Sequence, residues 1–246
     1  MASKKHKAVL RHIKDLMNGL SEDTTTLSKP HDDGTCADTD CTDTFIEHST
    51  RGWDLDEFMR RHARWMDACD QSGNLKCPCS MDALYIREKD GVLYLVEFKR
   101  DRILLRAPKA GEQCDHHLFV DHACDSGAKK NADYYHWLCR KMTDTVLAFT
   151  ARGIADLQNG SWRKRAIAYI VIDGERNGLR GAGNPVGARI RATAVDYAAF
   201  PELRGYLFDE IHIVDEQRFR MNILPQMAPD PDGWEYTVSS RQEPDQ

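Results

Sequence analysis

The sequence predicts an α/β fold in which a central mixed sheet is flanked by helices. Apolar residues recur at helical spacing over residues 4–20 and again over 129–152. Two β-prone runs, 81–87 and 92–99, are joined through Lys-Asp-Gly, which is typical of a tight hairpin. The continuous apolar run 166–172 is typical of a strand buried on both faces. This order of elements favours a layered sheet over a helical bundle or a β-sandwich.

The N-terminal part of the chain is expected to contain two helices separated by a polar segment. The first is the amphipathic helix over 4–20, and residues 21–44, rich in Thr, Asp, Gly and Ser, are expected to form a long loop or a disordered insert. Asp54 is placed to cap a second helix, which runs from Leu55 to about Asp70. Its apolar positions keep to one broad face, so we expect it to pack on a core.

Beyond the buried run, the chain is predicted to complete the same domain. The glycine-rich loop 174–187 lacks the strand–turn–helix context of a nucleotide-binding motif. A short helix is expected near 195–203 and a strand near 210–214, and the tail after Pro225 is expected to be irregular. Four tryptophans are interpreted as core residues: Trp53, Trp65, Trp137 and Trp162.

Composition and charge restrict the class of protein. With 41% hydrophobic and 30% charged residues, the chain has the composition of an ordinary globular protein. No apolar run approaches the roughly 18 residues of a membrane span, and the basic N-terminus is not followed by an apolar signal sequence. We therefore expect a cytoplasmic protein. The net charge of −5 argues against coating of nucleic acid by bulk electrostatics, but it leaves room for a local basic patch.

The eight cysteines are expected to be reduced thiols. Zinc ligands are an alternative interpretation, drawn from Cys36 and Cys41, from Cys77 and Cys79, and from the Cys/His stretch 114–124. None has the paired C-x2-C spacing of structural zinc sites, so scattered thiols are preferred. A zinc-stabilised interaction protein remains one functional hypothesis.

The predicted hairpin brings together three charged residues. A turn on residues 90–91 places Asp82 opposite Lys99 and Leu84 opposite Glu97. Because paired residues share a face of the sheet, and alternate residues along a strand also do, Asp82, Glu97 and Lys99 should converge at one end of one face. A register shift of one residue would move Asp82 to the other face. Both faces of the hairpin are otherwise apolar, so both should be covered.

Two carboxylates and an amine at the end of doubly buried strands are costly unless they serve a ligand. Carboxylate oxygens are ligands that Mg²⁺ prefers. A bound Mg²⁺ polarises a phosphoryl oxygen and lowers the pKa of a water molecule, and a nearby ammonium orients that water. The group therefore predicts a metal centre for phosphate-ester chemistry. The alternative is an ordinary solvated ion pair of Glu97 with Lys99 at a strand end.

At Asp82 and at Glu97-Phe98-Lys99, the chain resembles the PD-(D/E)xK superfamily of restriction-endonuclease-like nucleases. The resemblance covers residues 50–175 and implies an αβββαβ core, which needs one further strand near residues 75–77. Met81 stands where the family motif has proline. The resemblance divides the chain into an N-terminal helix and polar loop (1–50), a nuclease-like domain (51–225) and an irregular tail (226–246).

The resemblance also implies roles for individual residues. Asp82 and Glu97 would bind Mg²⁺, with Mn²⁺ as a substitute and the Phe98 carbonyl as a further ligand. Lys99 would position or activate the attacking water. Glu57, with Glu47 behind it, would complete the catalytic set from the preceding helix. A polar residue of the helix after the motif, here Lys141, is sometimes added. A basic cluster next to the motif could neutralise phosphates, or could be an ordinary solvated loop: Lys99, Arg100, Arg102, Arg106 and Lys109.

The expected function is therefore Mg²⁺-dependent hydrolysis of phosphodiester bonds in nucleic acid, with DNA favoured over RNA. No membrane partner is expected, and a homodimer is left open. The alternative is a binding or scaffold protein that keeps the nuclease-like fold without catalysis.

Overall fold

The structure is a computed structural model, and the part of the chain that it describes contains one six-stranded mixed sheet. The described residues are 4–29, 45–62, 79–100, 128–158, 162–179 and 200–235. The strands are β1 (Ser21–Asp23), β2 (Arg51–Asp54), β3 (Ala83–Ile86), β4 (Leu93–Lys99), β5 (Ala166–Ile172) and β6 (Glu210–Asp215). They lie across the sheet in chain order, antiparallel from β1 to β4 and parallel from β4 to β6. The predicted α/β class with a mixed sheet is confirmed.

The described helices are α1 (Lys4–Met17), α2 (Thr24–Leu27), α3 (Leu55–His62), α4 (Ala128–Ala151) and α5 (Glu216–Arg218). A π-helical turn (Phe219–Ile223) and a 3-10 turn (Leu224–Gln226) follow α5, and another 3-10 turn (Arg163–Arg165) precedes β5. Helix α4 lies in the connection from β4 to the parallel strand β5, as a crossover requires. Within the described ranges, no helix is long and apolar enough to cross a membrane.

Helix α3 begins where its capping residue predicts. Oδ1 of Asp54 accepts a hydrogen bond from the backbone N–H of Glu57 at 2.8 Å, which satisfies one of the free amides of the first turn. The helix ends at His62, and residues 63–70 of the predicted helix lie outside the described residues. The strand expected near residues 75–77 also lies outside them. Strand β3 lies between β4 and β2 in the sheet, and β2 precedes α3 in the chain.

The prediction of a loop over 21–44 is wrong at its start, where β1 and α2 form. The polar side chains there are matched by backbone groups: Oγ1 of buried Thr24 donates to the carbonyl of Thr50 at 2.7 Å, and Asp23 caps α2 through the N–H of Thr26. Pairing with β2 supplies hydrogen bonds to the backbone of β1, which the polar composition of the segment does not predict. The remainder of that segment, residues 30–44, lies outside the described residues.

The hairpin of β3 and β4 forms, but its register differs by two residues from the prediction. Leu84 pairs with Leu95 instead of Glu97, and Arg87 donates its N–H to the carbonyl of Val92 at 2.8 Å. The loop therefore spans residues 88–91 and is closed by a 2.7 Å ion pair between Arg87 and Asp90. An even shift leaves every side chain on its predicted face.

Both faces of the sheet are covered, as the apolar hairpin predicts. Leu84 and Leu95 lie in one core cluster with residues of α1, α3 and α4. Tyr85 and Val96 lie in a second cluster, which is covered by Phe219 and the turns after α5. Trp53 and Trp162 are fully buried core residues, as expected, whereas Trp65 lies outside the described residues.

The C-terminal part follows the prediction for β6 but not for the end of the predicted short helix. Residues 201–203 form a turn, and residues 195–199 of the predicted short helix lie outside the described residues, as do residues 180–187 of the glycine-rich loop. After Pro225 the chain is anchored to the sheet, because Ala228 donates its N–H to the carbonyl of Ile86 at 2.8 Å. The proposed domain boundaries stay a prediction, although α1 shares its core cluster with β3 and β4.

Candidate functional site

Asp82 and Glu97 lie next to each other where β3 begins. The N–H of Asp82 donates to the carbonyl of Val96 at 3.0 Å, although the ladder partner of Val96 is Ala83, so this bond departs by one residue from the register of β3 and β4. Oδ2 of Asp82 accepts a hydrogen bond from the N–H of Phe98 at 2.6 Å. The Asp82 side chain therefore turns towards β4, on the face that carries Glu97, and the predicted convergence of the two acids holds despite the altered register.

Lys99 follows two positions after Glu97 on the same face of β4. Its Nζ lies 2.7 Å from Oε1 of Glu97. The side chain of Lys99 is 17% exposed and that of Glu97 only 1%, so the pair is not the solvated surface pair of the alternative interpretation. Asp82, Glu97 and Lys99 are thus brought together.

Lys141 of α4 completes the cluster by bridging both acids. Its Nζ lies 3.0 Å from Oδ1 of Asp82 and 2.7 Å from Oε1 of Glu97, and its side chain is 10% exposed. The helix is held in place beside the site by two further bonds: Oγ1 of Thr145 accepts from the N–H of Met81 at 2.9 Å, and Oδ2 of Asp144 accepts from the N–H of Cys79 at 3.0 Å. The backbone around Lys141 is therefore fixed to the chain that leads into β3.

Trp137, one turn before Lys141 on α4, covers both ammonium groups with its indole ring. The Nζ of Lys99 lies 4.5 Å from the centre of that ring and the Nζ of Lys141 lies 4.8 Å from it. These distances fall in the range of cation–π interactions. Trp137 is half-buried against the core, so its interpretation as a core residue misses the face that contacts the lysines. The spacing of Trp137 and Lys141 by four residues on a helix is the signal that places them on one face.

The environment pushes the pKa values of the two acids in opposite directions. Burial raises the pKa of Asp82, but the charges of Lys141 and Lys99, with the Phe98 N–H, outweigh burial and hold it below its usual value. Burial and then the charge of Asp82 keep the pKa of Glu97 above its usual value. Burial lowers the pKa of Lys141, but the charges of Asp82 and Glu97 outweigh it and raise the pKa. Neighbouring carboxylates with separated pKa values are typical of functional sites.

The site has the donors that a hard divalent cation needs. Oε2 of Glu97 is buried and has no hydrogen-bond partner among the described residues, which costs free energy unless a ligand satisfies it. Asp82 and Glu97 supply carboxylate oxygens, and Mg²⁺ is commonly held by one or two carboxylates with water and substrate. The described residues contain no group of three His, Cys, Asp or Glu side chains that could hold a metal. The two acids therefore fit Mg²⁺ with the rest of its ligands from outside the described residues.

Two other predicted site residues lie in different surroundings. Glu57 is ion-paired to Arg60 at 3.2 Å and to Arg61 at 2.9 Å on its own helix, and these are its ionic contacts within the described residues. Glu47 is exposed. The neighbour of Glu57, Asp56, is the acid of α3 that points towards β3, since it accepts a hydrogen bond from Oγ of Ser80.

Phe98 contributes to the site through its backbone. Its N–H contacts Asp82, while its side chain lies on the opposite face and packs edge-on against Phe45 and Phe219. The expected role of the Phe98 carbonyl as a metal ligand stays a prediction.

Several candidates for zinc or phosphate binding lie outside the described residues. These are Cys36, Cys41, Cys77 and the stretch 114–124, together with Arg102, Arg106 and Lys109 of the basic cluster. Cys79, beside α4, and Cys139, on α4, lie within the described residues as reduced cysteines. The zinc interpretation and the basic cluster stay predictions.

Comparison of the chain with protein-family models, with curated proteins and with solved structures returns no match. A function is therefore inferred from the sequence pattern and from the geometry of the Asp82–Glu97–Lys99–Lys141 cluster.

Proposed function

We propose that the protein is a Mg²⁺-dependent nuclease of the PD-(D/E)xK type, which hydrolyses phosphodiester bonds in nucleic acid, DNA in preference to RNA. The observation that carries this proposal is the convergence of two buried carboxylates, those of Asp82 and Glu97, on one cation position, with Lys99 in contact with Glu97. A buried acid pair beside an amine is the arrangement that metal-assisted phosphate chemistry needs.

The order of elements supports the same proposal. Strands β2, β3 and β4 form an antiparallel meander, α4 crosses over, and β5 returns parallel to β4. With α1 as the first helix and β1, α2 and α3 as additions, this order is compatible with the αβββαβ pattern of the superfamily. In this assignment the first strand of the core would be β2 and not the strand expected near residues 75–77, which lies outside the described residues.

Three residues of the cluster have roles in the proposed reaction. Asp82, which the Phe98 N–H orients, and Glu97, whose Oε2 has no hydrogen-bond partner among the described residues, would hold Mg²⁺. When bound, the cation would polarise a phosphoryl oxygen and lower the pKa of a water molecule. Lys99 contacts Glu97, is the more exposed of the two lysines, and would orient that water and stabilise charge on the phosphate.

A cleavage screen tests the proposal directly. Single-stranded DNA, duplex DNA and RNA are incubated with the protein and Mg²⁺ or Mn²⁺, beside Asp82→Ala and Lys99→Ala. Lys89→Ala is the matched control, because Lys89 is an exposed lysine at the loop end of the same hairpin. We expect metal-dependent cleavage by the wild type and by Lys89→Ala, and none by the two site variants. Cleavage that persists in both site variants would refute the assignment.

One observation favours a second candidate, a nuclease-fold protein that binds nucleic acid without cutting it. The two acids and two lysines of the cluster neutralise each other, so the charges of the described site are balanced without a metal ion. Under this alternative, Mg²⁺ and Mn²⁺ leave the thermal stability unchanged, and no nucleic acid is cleaved although it is bound. Metal-dependent cleavage that Asp82→Ala abolishes would exclude it.

A further inference from the structure

The ammonium of Lys141 occupies the position between the two acids where a cation would bind. Oδ1 of Asp82 and Oε1 of Glu97 both point at its Nζ, at 3.0 and 2.7 Å. Mg²⁺ binds oxygen ligands at about 2.0–2.1 Å. A divalent ion held by these two oxygens would therefore need the space that the ammonium fills.

The charges of the site also disfavour the presence of a divalent cation together with both ammonium groups. Two carboxylates are matched by the two ammonium groups of Lys99 and Lys141. A divalent cation added to this set would leave two uncompensated positive charges in a largely buried site, which is unfavourable. If one ammonium withdraws, a single excess positive charge remains, and one phosphodiester anion neutralises it.

The surroundings allow the side chain of Lys141 to move while its backbone stays in place. Thr145 and Asp144 bond the helix to the backbone of Met81 and Cys79. The indole face of Trp137, 4.8 Å from Nζ, offers the ammonium a second favourable contact. A lysine side chain has enough rotatable bonds to leave the acids without a shift of α4.

We propose that Lys141 is an internal counter-ion of this site, which holds Asp82 and Glu97 together in the metal-free protein and is exchanged for the divalent cation when metal binds. The inference rests on the proposed metal centre and adds that the ammonium of Lys141 opposes metal binding there. Metal affinity is set by competition with the protein's own ammonium, and Lys141 is a positioning residue of the metal-free state.

Metal titration of Lys141→Met, without nucleic acid, tests the exchange. Methionine keeps the unbranched apolar stem of lysine, is one atom shorter and removes the charge. After treatment with chelator, Mn²⁺ binding is measured by calorimetry for the wild type, Lys141→Met and Lys89→Met. Removal of a competing charged hydrogen-bond partner should tighten Mn²⁺ binding about tenfold or more in Lys141→Met, and leave it unchanged in Lys89→Met. Without metal, Lys141→Met should melt below the wild type, and saturating Mn²⁺ should close most of that gap.

A second variant covers the case in which Lys141→Met does not fold without metal. Lys141→Gln keeps one neutral donor for the acids and should also bind Mn²⁺ more tightly than the wild type. Equal or weaker Mn²⁺ binding by the foldable variants would overturn the inference, as would the absence of Mn²⁺ binding by all of them. Nuclease activity is scored separately. If the wild type cleaves DNA but the Lys141 variants bind Mn²⁺ no more tightly than it does, only the exchange is refuted. If the Lys141 variants bind Mn²⁺ more tightly but no protein cleaves nucleic acid, only the nuclease proposal is refuted.

Discussion

The backbone N–H of Phe98 donates a hydrogen bond of 2.6 Å to Oδ2 of Asp82. Since Asp82 lies just before β3 and Phe98 lies on β4, this bond joins the ends of the two strands through a side chain. It also leaves Oδ1 of Asp82 free to face Lys141. The orientation of the acid is thus set by the backbone of the neighbouring strand.

Replacement of this acid should destabilise the fold measurably. In Asp82→Asn the amide oxygen can still accept from Phe98, but buried Lys141 loses one of its two anionic partners. Loss of one partner of a buried ion pair costs about 3 kcal/mol of the free energy of unfolding. Urea denaturation without metal checks this value, with Asp209→Asn, an exposed acid, as the control. A loss below about 1 kcal/mol, as for surface pairs, would contradict the buried geometry.

Lys99 should matter for catalysis more than for folding. Its Nζ is the better exposed of the two ammonium groups, and Glu97 keeps Lys141 as a partner when Lys99 is removed. We expect Lys99→Ala to lower kcat for DNA cleavage about a hundredfold or more, while the midpoint of thermal unfolding changes little. Lys89→Ala should retain the wild-type kcat. A parallel loss of stability and activity in Lys99→Ala would indicate a structural role.

Trp137 should act through the two lysines that its ring contacts. Trp137→Phe keeps an aromatic face and should retain most of the activity, whereas Trp137→Leu removes that face and should lower kcat about tenfold. The comparison of Phe with Leu separates the cation–π contact from the loss of apolar volume, which both variants share. Equal kcat values for the two variants would show that the aromatic face has no such role.

The raised pKa of Glu97 predicts how stability depends on pH. Because its pKa in the folded protein lies above the ordinary value of 4.5, folding favours the protonated acid. Its stabilising contribution is therefore fully present below pH 4.5 and is lost as the pH rises through the folded-state pKa. The pKa of Asp82 is lowered from 3.8, so its contribution to stability is present above pH 3.8 and is lost as the pH falls through its pKa in the folded protein.

Urea denaturation of chelated protein from pH 4.5 to neutrality measures the effect. The free energy of unfolding of the wild type, minus that of Glu97→Gln, should fall as the pH rises across this window. Glu88→Gln, at an exposed position of the same hairpin, is the matched control. A difference that grows with pH would mean that the pKa of Glu97 is lowered in the folded protein.

Substitution of Gly52 tests the packing of β2, which the sequence did not predict, against Tyr85. A Cβ at this position of β2 would lie 2.8 Å from the ring of Tyr85, which is fully buried and donates a hydrogen bond to Oγ1 of Thr24. Gly52→Ala should therefore cost about 1–3 kcal/mol, the usual cost of overpacking. Gly233→Ala, where the nearest atom is the carboxylate of Asp230 at 3.4 Å, should cost little. Thermal unfolding of both variants decides whether β2 lies against Tyr85.

The elements with strong periodicity were accessible from the sequence because their patterns are local. The run 166–172 reads as a buried strand and forms β5, and the helix predicted over 129–152 forms α4. The short strand β1 was not accessible, because Ser21–Asp23 has no apolar alternation and owes its strand conformation to pairing with β2. Pairing between distant segments leaves no local pattern in either of them.

For the site, the sequence by itself determined that Glu97 and Lys99 share a face, since side chains two residues apart on a strand do. That Asp82 joins them depended on the hairpin register, which differs from the predicted one by an even number of residues. Tertiary structure alone decided which atoms meet. The loop over 88–91 set the register, and the packing of α4 on the sheet delivered the ammonium of Lys141 to both acids from 44 residues beyond Glu97. Side-chain periodicity is a property of each strand alone, whereas a contact between helix and sheet depends on how the whole core packs.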